Sequence, residues 1–580
     1  MKLYSFNRRR IFIVFLCMLG AGLFLTGRLA YLMIYQSEHY TMLADSLHER
    51  ERSIKAPRGR IYDRNGNILA DNRAVCSISV IHSQIEDEEE VISALLTYLD
   101  TDEEKVRTKV TKNSSREIIA VNVEKSLADE IRELNISGIK VDEDYKRYYP
   151  YGSLASKVLG FTGADNQGIV GLEVSYDDVL SGTDGSINAV TDAKGIELVE
   201  FSESRVNPIP GKDLVTSIDL NIQRYATQAA LKVMEEKNAN RVCIIIMNPQ
   251  NGEVYAMVDV PEYDLNNPFE LNYEANVTED NQMDLLNNMW RNFNISDTYE
   301  PGSTCKIVTL TSALESGAVT KENTFYCPGY KMIEDRRIRC HKTTGHGSET
   351  LVEALMNSCN PAFMEIGERT GAETLYEYYG KLGLFEKTGI DLPGEGSSIM
   401  HKLEDIGPVE LATMSFGQSF QITPIQFITA ISTVINGGNK ITPHIGIRFI
   451  DSESQESNVL EYPVINNAIK ESTSNTVREM LESVVSEGSG SKAALPGYRI
   501  GGKTATSEKL PRGTGLYISS FIGFAPADNP QVIGIILIDE PEGVYYGGTI
   551  AAPVIRDIFS NILPYLGIEA EEIPETDTEQ

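Results

Sequence analysis

Pro301-Gly302-Ser303-Thr304-Cys305-Lys306 sets a hydroxyl and an amine three residues apart, directly ahead of IVTLTSALESG. Three residues is nearly one helical turn, so in a helix the Lys306 amine shares the face of Ser303 and can take its hydroxyl proton. The helix N-terminus would add backbone N–H groups suited to a developing oxyanion. Plain helix capping accounts for such a pair equally well, so it needs company. Ser358-Cys359-Asn360 brings a second hydroxyl and an amide between ETLVEALMN and PAFMEIGERTG, with Asn360 expected as an N-cap and Pro361 at the first helical position. Lys503-Thr504-Ala505-Thr506 adds a cation and two hydroxyls on a short strand. A free strand edge of that kind can hold an extended peptide ending in a carboxylate, although an edge strand guarded by a lysine reads the same. Each box alone is weak; three in this order within one domain are not.

The elements that must position these residues are legible on either side of them. Ile307, Leu310 and Leu314 recur at helical spacing and Gly317 supplies a stop, so a helix follows Ser303. RVCIIIM (241–247) and EVYAMVDV (253–260) flank a turn and predict a hairpin, as do YISSFIGFA (517–525) and VIGIILID (532–539). With a short strand around 499–506 this makes about five antiparallel strands, separated by a long stretch of helical periodicity. The pattern predicts a sheet covered by helices, an α+β or α/β sandwich. A composition break at Asn207-Pro208-Ile209-Pro210-Gly211 marks a domain boundary, and a long amphipathic helix opens near Asp219. Before the break, a hairpin turning at Asn65-Gly66 and glycine-rich segments at 147–163 and 168–186 predict an α+β platform.

The 580 residues are 41% apolar and 23% charged, which excludes a chain disordered throughout and leaves room for two to four domains of about 150 residues. The net charge of −31 makes nucleic acid a poor partner. The first 37 residues nevertheless carry Lys2, Arg8, Arg9, Arg10 and Arg28 and no acid. Between them lies the uncharged run Ile11 to Gly27, resumed after Arg28 as LAYLMIY, which predicts a membrane span at 11–35 with Tyr31 and Tyr35 at the interface. The basic cluster keeps residues 1–10 in the cytoplasm and sends the chain after about residue 36 outside. No small-x-small cleavage site closes the apolar run, so an uncleaved signal anchor is expected. The acidic last fourteen residues predict a disordered tail. Seven cysteines give no disulfide framework, although Cys327 and Cys340 bracket a short loop and could pair. His341 and His346 stand outside any metal-binding spacing, so no metal site is expected.

The three boxes, together with APRGRIYDRNGNILA, YYPYGSLASKVLGFTG, GLEVSYDDVLSG, WRNFNISDTYEPGSTCK and SFGQSFQITPIQ, resemble the class B penicillin-binding proteins. These are monofunctional D,D-transpeptidases of peptidoglycan synthesis. The resemblance spans about residues 5–565 and is closest to the division and sporulation branch. It implies an α+β protein with a cytoplasmic segment (1–10), a transmembrane anchor (11–35), a pedestal domain of dimerisation type (36–206), a transpeptidase domain (207–566) and an acidic tail (567–580). It makes Ser303 the nucleophile and Lys306 its base, kept neutral by burial and by the positive Lys503. Ser358 would relay the proton to the leaving amine and Asn360 would hold the donor-peptide amide. Backbone N–H groups of Ser303 and Thr506 would form the oxyanion hole, and Lys503, Thr504 and Thr506 would face the substrate carboxylate. The implied substrate is a stem peptide ending D-Ala-D-Ala, with β-lactams as inhibitors and no cofactor. Glycan strands would come from a SEDS-type glycosyltransferase among other divisome partners. Ala505 stands where the family has glycine, a departure expected to tune activity. A β-lactam-sensing receptor would use the same acylation but has only a short cytoplasmic segment to signal with, and a scaffold without catalysis rests on Ala505 alone.

Overall fold

The computed structural model describes residues 4–37, 40, 49–114, 116–190 and 204–571. The chain forms two compact units, each assembled from separated stretches. Met1–Pro57, Arg73–Lys146 and Thr183–Pro210 make the first; Arg58–Asn72, Arg147–Gly182 and Gly211–Gln580 make the second. The sequence places one boundary near residue 207, whereas the contacts cross it several times. Arg58 supplies a physical reason. Its guanidinium is buried, donating to Glu173 at 2.6 Å and to Asp177 at 2.7 Å. Removing one partner from such a buried pair costs about 3–5 kcal/mol, so the stretch carrying Arg58 travels with the stretch carrying Glu173. Asp63 adds to this by accepting from the backbone N–H of Asn65, Asn67 and Leu220. Residues 58–63, expected on the platform, therefore pack within the second unit.

The first unit opens with the helix Tyr4–Ala30. Arg8–Tyr35, which contains the expected 11–35 span, is long and apolar enough to cross a membrane and buries none of its apolar window. Its small globular core gathers Cys76, Ile78 and Val80 against Val91, Ile92 and Leu95 of the helix Glu88–Tyr98 and Val106 and Val110 of the helix Glu103–Val110. Asp87 and Asp102 cap these two helices, each accepting two backbone N–H groups of the first turn.

In the second unit, β1 (Arg241–Met247), β2 (Val254–Val260), β3 (Gly501–Glu508), β4 (Tyr517–Ala525) and β5 (Val532–Asp539) form one antiparallel sheet in the order β2-β1-β5-β4-β3. Successive side chains of a strand point to opposite faces, and the cores follow that alternation. Val242, Ile244 and Ile246 join one cluster with α1 (Leu220–Lys237) and α6 (Ala552–Tyr565); Cys243, Ile245 and Met247 join the other. The second cluster also takes in residues of α2 (Lys306–Glu315), α3 (Leu351–Met356), α4 (Asn360–Thr370) and α5 (Pro424–Ile435). Burial on both faces is why β1 and β5 read as continuous apolar runs. All twelve residues of α5 are buried, so that apolar helix belongs to the core. Asp219 starts α1 as expected, accepting from the N–H groups of Asn221 and Ile222. The chain past α6 stays fixed for a few residues, with Ile568 buried and the Glu571 N–H donating to Gly497 at 2.7 Å. The rest of the expected tail lies outside the described residues.

Candidate active site

Ser303 lies in a tight 3₁₀ turn, Gly302–Cys305, that runs straight into α2. Lys306 is the first residue of α2 and is wholly buried. Its amine is 3.2 Å from Ser303 Oγ, 3.2 Å from Ser358 Oγ, 2.7 Å from the Ser358 carbonyl and 2.8 Å from Asn360 Oδ1. A neutral amine has two N–H donors and one lone pair. The Ser358 carbonyl and Asn360 Oδ1 can only accept, and these two shortest contacts use both donors. The lone pair is left for a hydroxyl, as proton abstraction from serine requires. Burial lowers the Lys306 pKa to about 8, against a smaller opposing pull from Cys359, Cys340 and Glu349.

Lys503 is also wholly buried on β3, its amine donating to the Thr504 carbonyl at 3.2 Å. Burial and then the charge of Lys306 push its pKa well below the usual lysine range. The sequence reading has the Lys503 charge depress Lys306. Here the repulsion between the two buried amines lowers the Lys503 pKa, with burial the larger cause.

Ser358 occupies the left-handed region at φ +53, a conformation costing a non-glycine residue about 1–2 kcal/mol. The turn it makes aims both its carbonyl and its hydroxyl at Lys306. The sequence reading makes Asn360 the N-cap of α4, but that position is held by Cys359 and Asn360 is the first helical residue. Its side chain bridges instead, with Oδ1 receiving Lys306 and Nδ2 donating to the Arg339 carbonyl at 3.3 Å.

β3 is an edge strand, and Ser303, Ser358, Asn360, Thr504, Ala505 and Thr506 line one cavity of about 500 Å³. Thr506 Oγ1 accepts the Gly547 N–H at 3.0 Å. Lys306 and Lys503 stand behind this wall. Tyr517 and Tyr545, stacked at 4.2 Å, and the adjoining Tyr546 line the same cavity. Sequence reading missed these tyrosines, since no spacing signal links them to the boxes. Ala505 is not in the left-handed region, so its methyl costs the backbone nothing. Ala505→Gly is expected to change the stopped-flow acylation rate with one penicillin by no more than about tenfold, or about 1.4 kcal/mol in the barrier.

Gly417, in SFGQSFQITPIQ, has φ +84 and accepts the Gly302 N–H at 2.9 Å, and a Cβ there would lie 2.0 Å from the Gly302 carbonyl oxygen. Gly417→Ala must displace the turn that carries Ser303. A destabilisation of about 3 kcal/mol is expected. A lowered melting temperature and a penicillin acylation rate cut at least about tenfold are the readouts.

Next to the Ser358 turn, Cys327, Cys340, His346 and Cys359 each bring one ligand-type atom to within 4.8 Å of the others. The cysteines are free thiols. A simple Cys327–Cys340 pair does not describe this cluster. Cys327 ends a short strand, Cys340 and His346 share one loop and Cys359 precedes α4, spacings that match no common metal motif.

Residues 242–560 match the family model of the penicillin binding protein transpeptidase domain, and residues 53–216 that of the penicillin-binding protein dimerisation domain. Stage V sporulation protein D of Bacillus subtilis (strain 168) is 39% identical over 571 residues, 97% of this chain and 86% of that protein. The chain belongs to the class B penicillin-binding proteins. The probable peptidoglycan D,D-transpeptidase PenA of Neisseria gonorrhoeae is 29% identical over 577 residues, covering 97% of this chain and 93% of its own. Among solved structures, penicillin binding protein 3 of Mycobacterium tuberculosis, complexed with aztreonam, superposes with a TM-score of 0.67 at 24% identity over 90% of this chain and 98% of that one. The α+β fold of this penicillin-binding protein thus agrees with the sequence expectation.

Proposed function

We propose that this penicillin-binding protein is a serine D,D-transpeptidase that cross-links peptidoglycan stem peptides and is acylated by β-lactams. The observation that carries the reading is the buried Lys306 amine, with its two donors occupied and its lone pair turned to hydroxyls that include Ser303. Ser303 Oγ attacks the carbonyl of the penultimate D-Ala while its proton passes to Lys306. The backbone N–H groups of Ser303 and Thr506 stabilise the oxyanion. As the peptide C–N bond breaks, the proton returns through Ser358 to the leaving amine and the terminal D-Ala departs. The amine of a neighbouring stem then attacks the ester, forming the cross-link and freeing Ser303. Asn360 holds the donor amide. Thr504 and Thr506 meet the terminal carboxylate at the cavity wall, and its charge favours protonation of the Lys503 amine behind them.

Arg8 to Arg10 lie on the cytoplasmic side of a single-pass anchor, and the chain after about residue 36 works outside. Glycan strands come from a SEDS-type glycosyltransferase, with other divisome proteins as partners, in septal or spore wall synthesis. The relative named for stage V sporulation supports the spore wall branch. The test incubates the purified full chain with nascent glycan bearing pentapeptide stems and follows cross-linked stems and released D-Ala by mass spectrometry. Both products are expected from the natural protein and neither from Ser303→Ala. Release of D-Ala without cross-links would make it a carboxypeptidase.

A further inference from the structure

We infer that Cys327, Cys340, His346 and Cys359 form a binding site for a thiophilic divalent cation, Zn²⁺, and that the ion holds the Ser358–Asn360 turn in place. The metal-binding half stands on the ligands alone; the positioning half rests on the acyl-transfer reading above.

Three thiols and one imidazole are a closed donor set for a tetrahedral ion, while magnesium and calcium want oxygen ligands. With Zn–S near 2.3 Å and Zn–N near 2.0 Å, a tetrahedron sets its ligand atoms roughly 3.5–3.8 Å apart. Cys340 Sγ and His346 Nδ1 are 3.7 Å apart, and all four ligand atoms lie within 4.8 Å of one another. Closing that gap takes side-chain rotation of about an ångström. The three cysteines are at most 2% exposed, and an odd number cannot all be joined in pairs.

Glu349 supplies an independent sign of a cation. It is 3% exposed, and its Oε2 has no hydrogen-bond partner and sits 3.7 Å from His346 Nδ1. A buried carboxylate oxygen left in this way costs about 1–3 kcal/mol or more, which a neighbouring cation offsets. The backbone that carries the ligands is already interlocked. Gly345, at φ +85, lies so close to Cys327 that a Cβ would meet its carbonyl oxygen at 2.4 Å, and the Cys340 N–H donates to Gly329 at 2.9 Å.

The site's position gives the ion a task. Cys359 stands between Ser358 and Asn360, and the Arg339 carbonyl beside Cys340 receives the Asn360 side chain. An ion bonded to Cys327, Cys340 and His346 on one side and Cys359 on the other braces the left-handed Ser358 turn against recoil. It touches no reacting atom, so its ligands are positioning residues.

The experiment uses the full-length protein in detergent. Elemental analysis is expected to find about one zinc per chain. After removal by chelator, titration with Co²⁺ is expected to give the intense visible bands of tetrahedral cobalt and thiolate-to-metal charge transfer, saturating at one equivalent. Cys340→Ser and His346→Gln should each weaken or abolish that spectrum. Only the pale spectrum of octahedral cobalt in the natural protein would overturn the site, whatever the variants do. Metal-free protein with an unchanged far-UV spectrum is expected to acylate with fluorescent penicillin about tenfold or more slowly, and Zn²⁺ should restore the rate. An unchanged rate would overturn the positioning role. Labelling of Ser303→Ala at the natural rate would instead overturn the acyl-transfer reading, and the cobalt spectrum would be untouched.

Discussion

Ser303→Ala is expected to form no covalent penicillin adduct, where the natural protein gains the mass of one ring-opened β-lactam. Removing a nucleophile of this kind costs about four orders of magnitude or more in rate, because the remaining groups have no bond to form. Among the described residues the other hydroxyl bonded to the Lys306 amine is Ser358, also at 3.2 Å. Ser358 is 9% exposed and fixed in a left-handed turn, with its carbonyl tied to the same amine, so it cannot advance into the cavity in place of Ser303. Lys306 keeps its contacts with Ser358 and Asn360 in the variant, so the fold and the melting temperature should be nearly unchanged. Intact-protein mass spectrometry is the measurement. An adduct on Ser303→Ala that maps to Ser358 or to a cysteine would move the nucleophile elsewhere.

The parts of this site that sequence made legible are those encoded over a few residues. Ser303 and Lys306 are one turn apart, and their 3.2 Å contact follows from that spacing whether the turn is 3₁₀ or α. The strand β1 was readable to the residue, because a strand buried on both faces is a run of β-branched residues between turn signals. What escaped depends on distant stretches meeting. Arg58 finds Glu173 only through the fold, and that pairing draws residues 58–72 into the second unit, away from a boundary read from composition. The Cys359 thiol looked like filler inside a serine box until Cys327, Cys340 and His346 arrived beside it. Asn360 shows a subtler loss. Its residue type is right for an N-cap, yet it stands one position inside the helix and its side-chain oxygen receives the amine of Lys306.

The acylation rate should rise with pH along the titration of Lys306 and then level. Burial holds that amine at a pKa of about 8, and the base is active only when neutral. The neutral fraction then grows about ninety-fold between pH 6 and pH 9, most of it below pH 8. A lysine at its ordinary value would still be gaining tenfold per pH unit at pH 9. Lys306→Arg separates the base from its charge. Arginine keeps a cation of similar reach beside Ser303 but does not lose its proton in a protein, so it can stabilise charge and cannot accept the hydroxyl proton. Both Lys306→Arg and Lys306→Ala should therefore fall by about three orders of magnitude in acylation rate and lose the rise between pH 6 and pH 9. The measurement is stopped-flow acylation of full-length protein with one penicillin across that range, with circular dichroism to check each fold. If Lys306→Arg acylates at close to the natural rate, the amine serves as a charge, and the base that activates Ser303 must be sought in another residue.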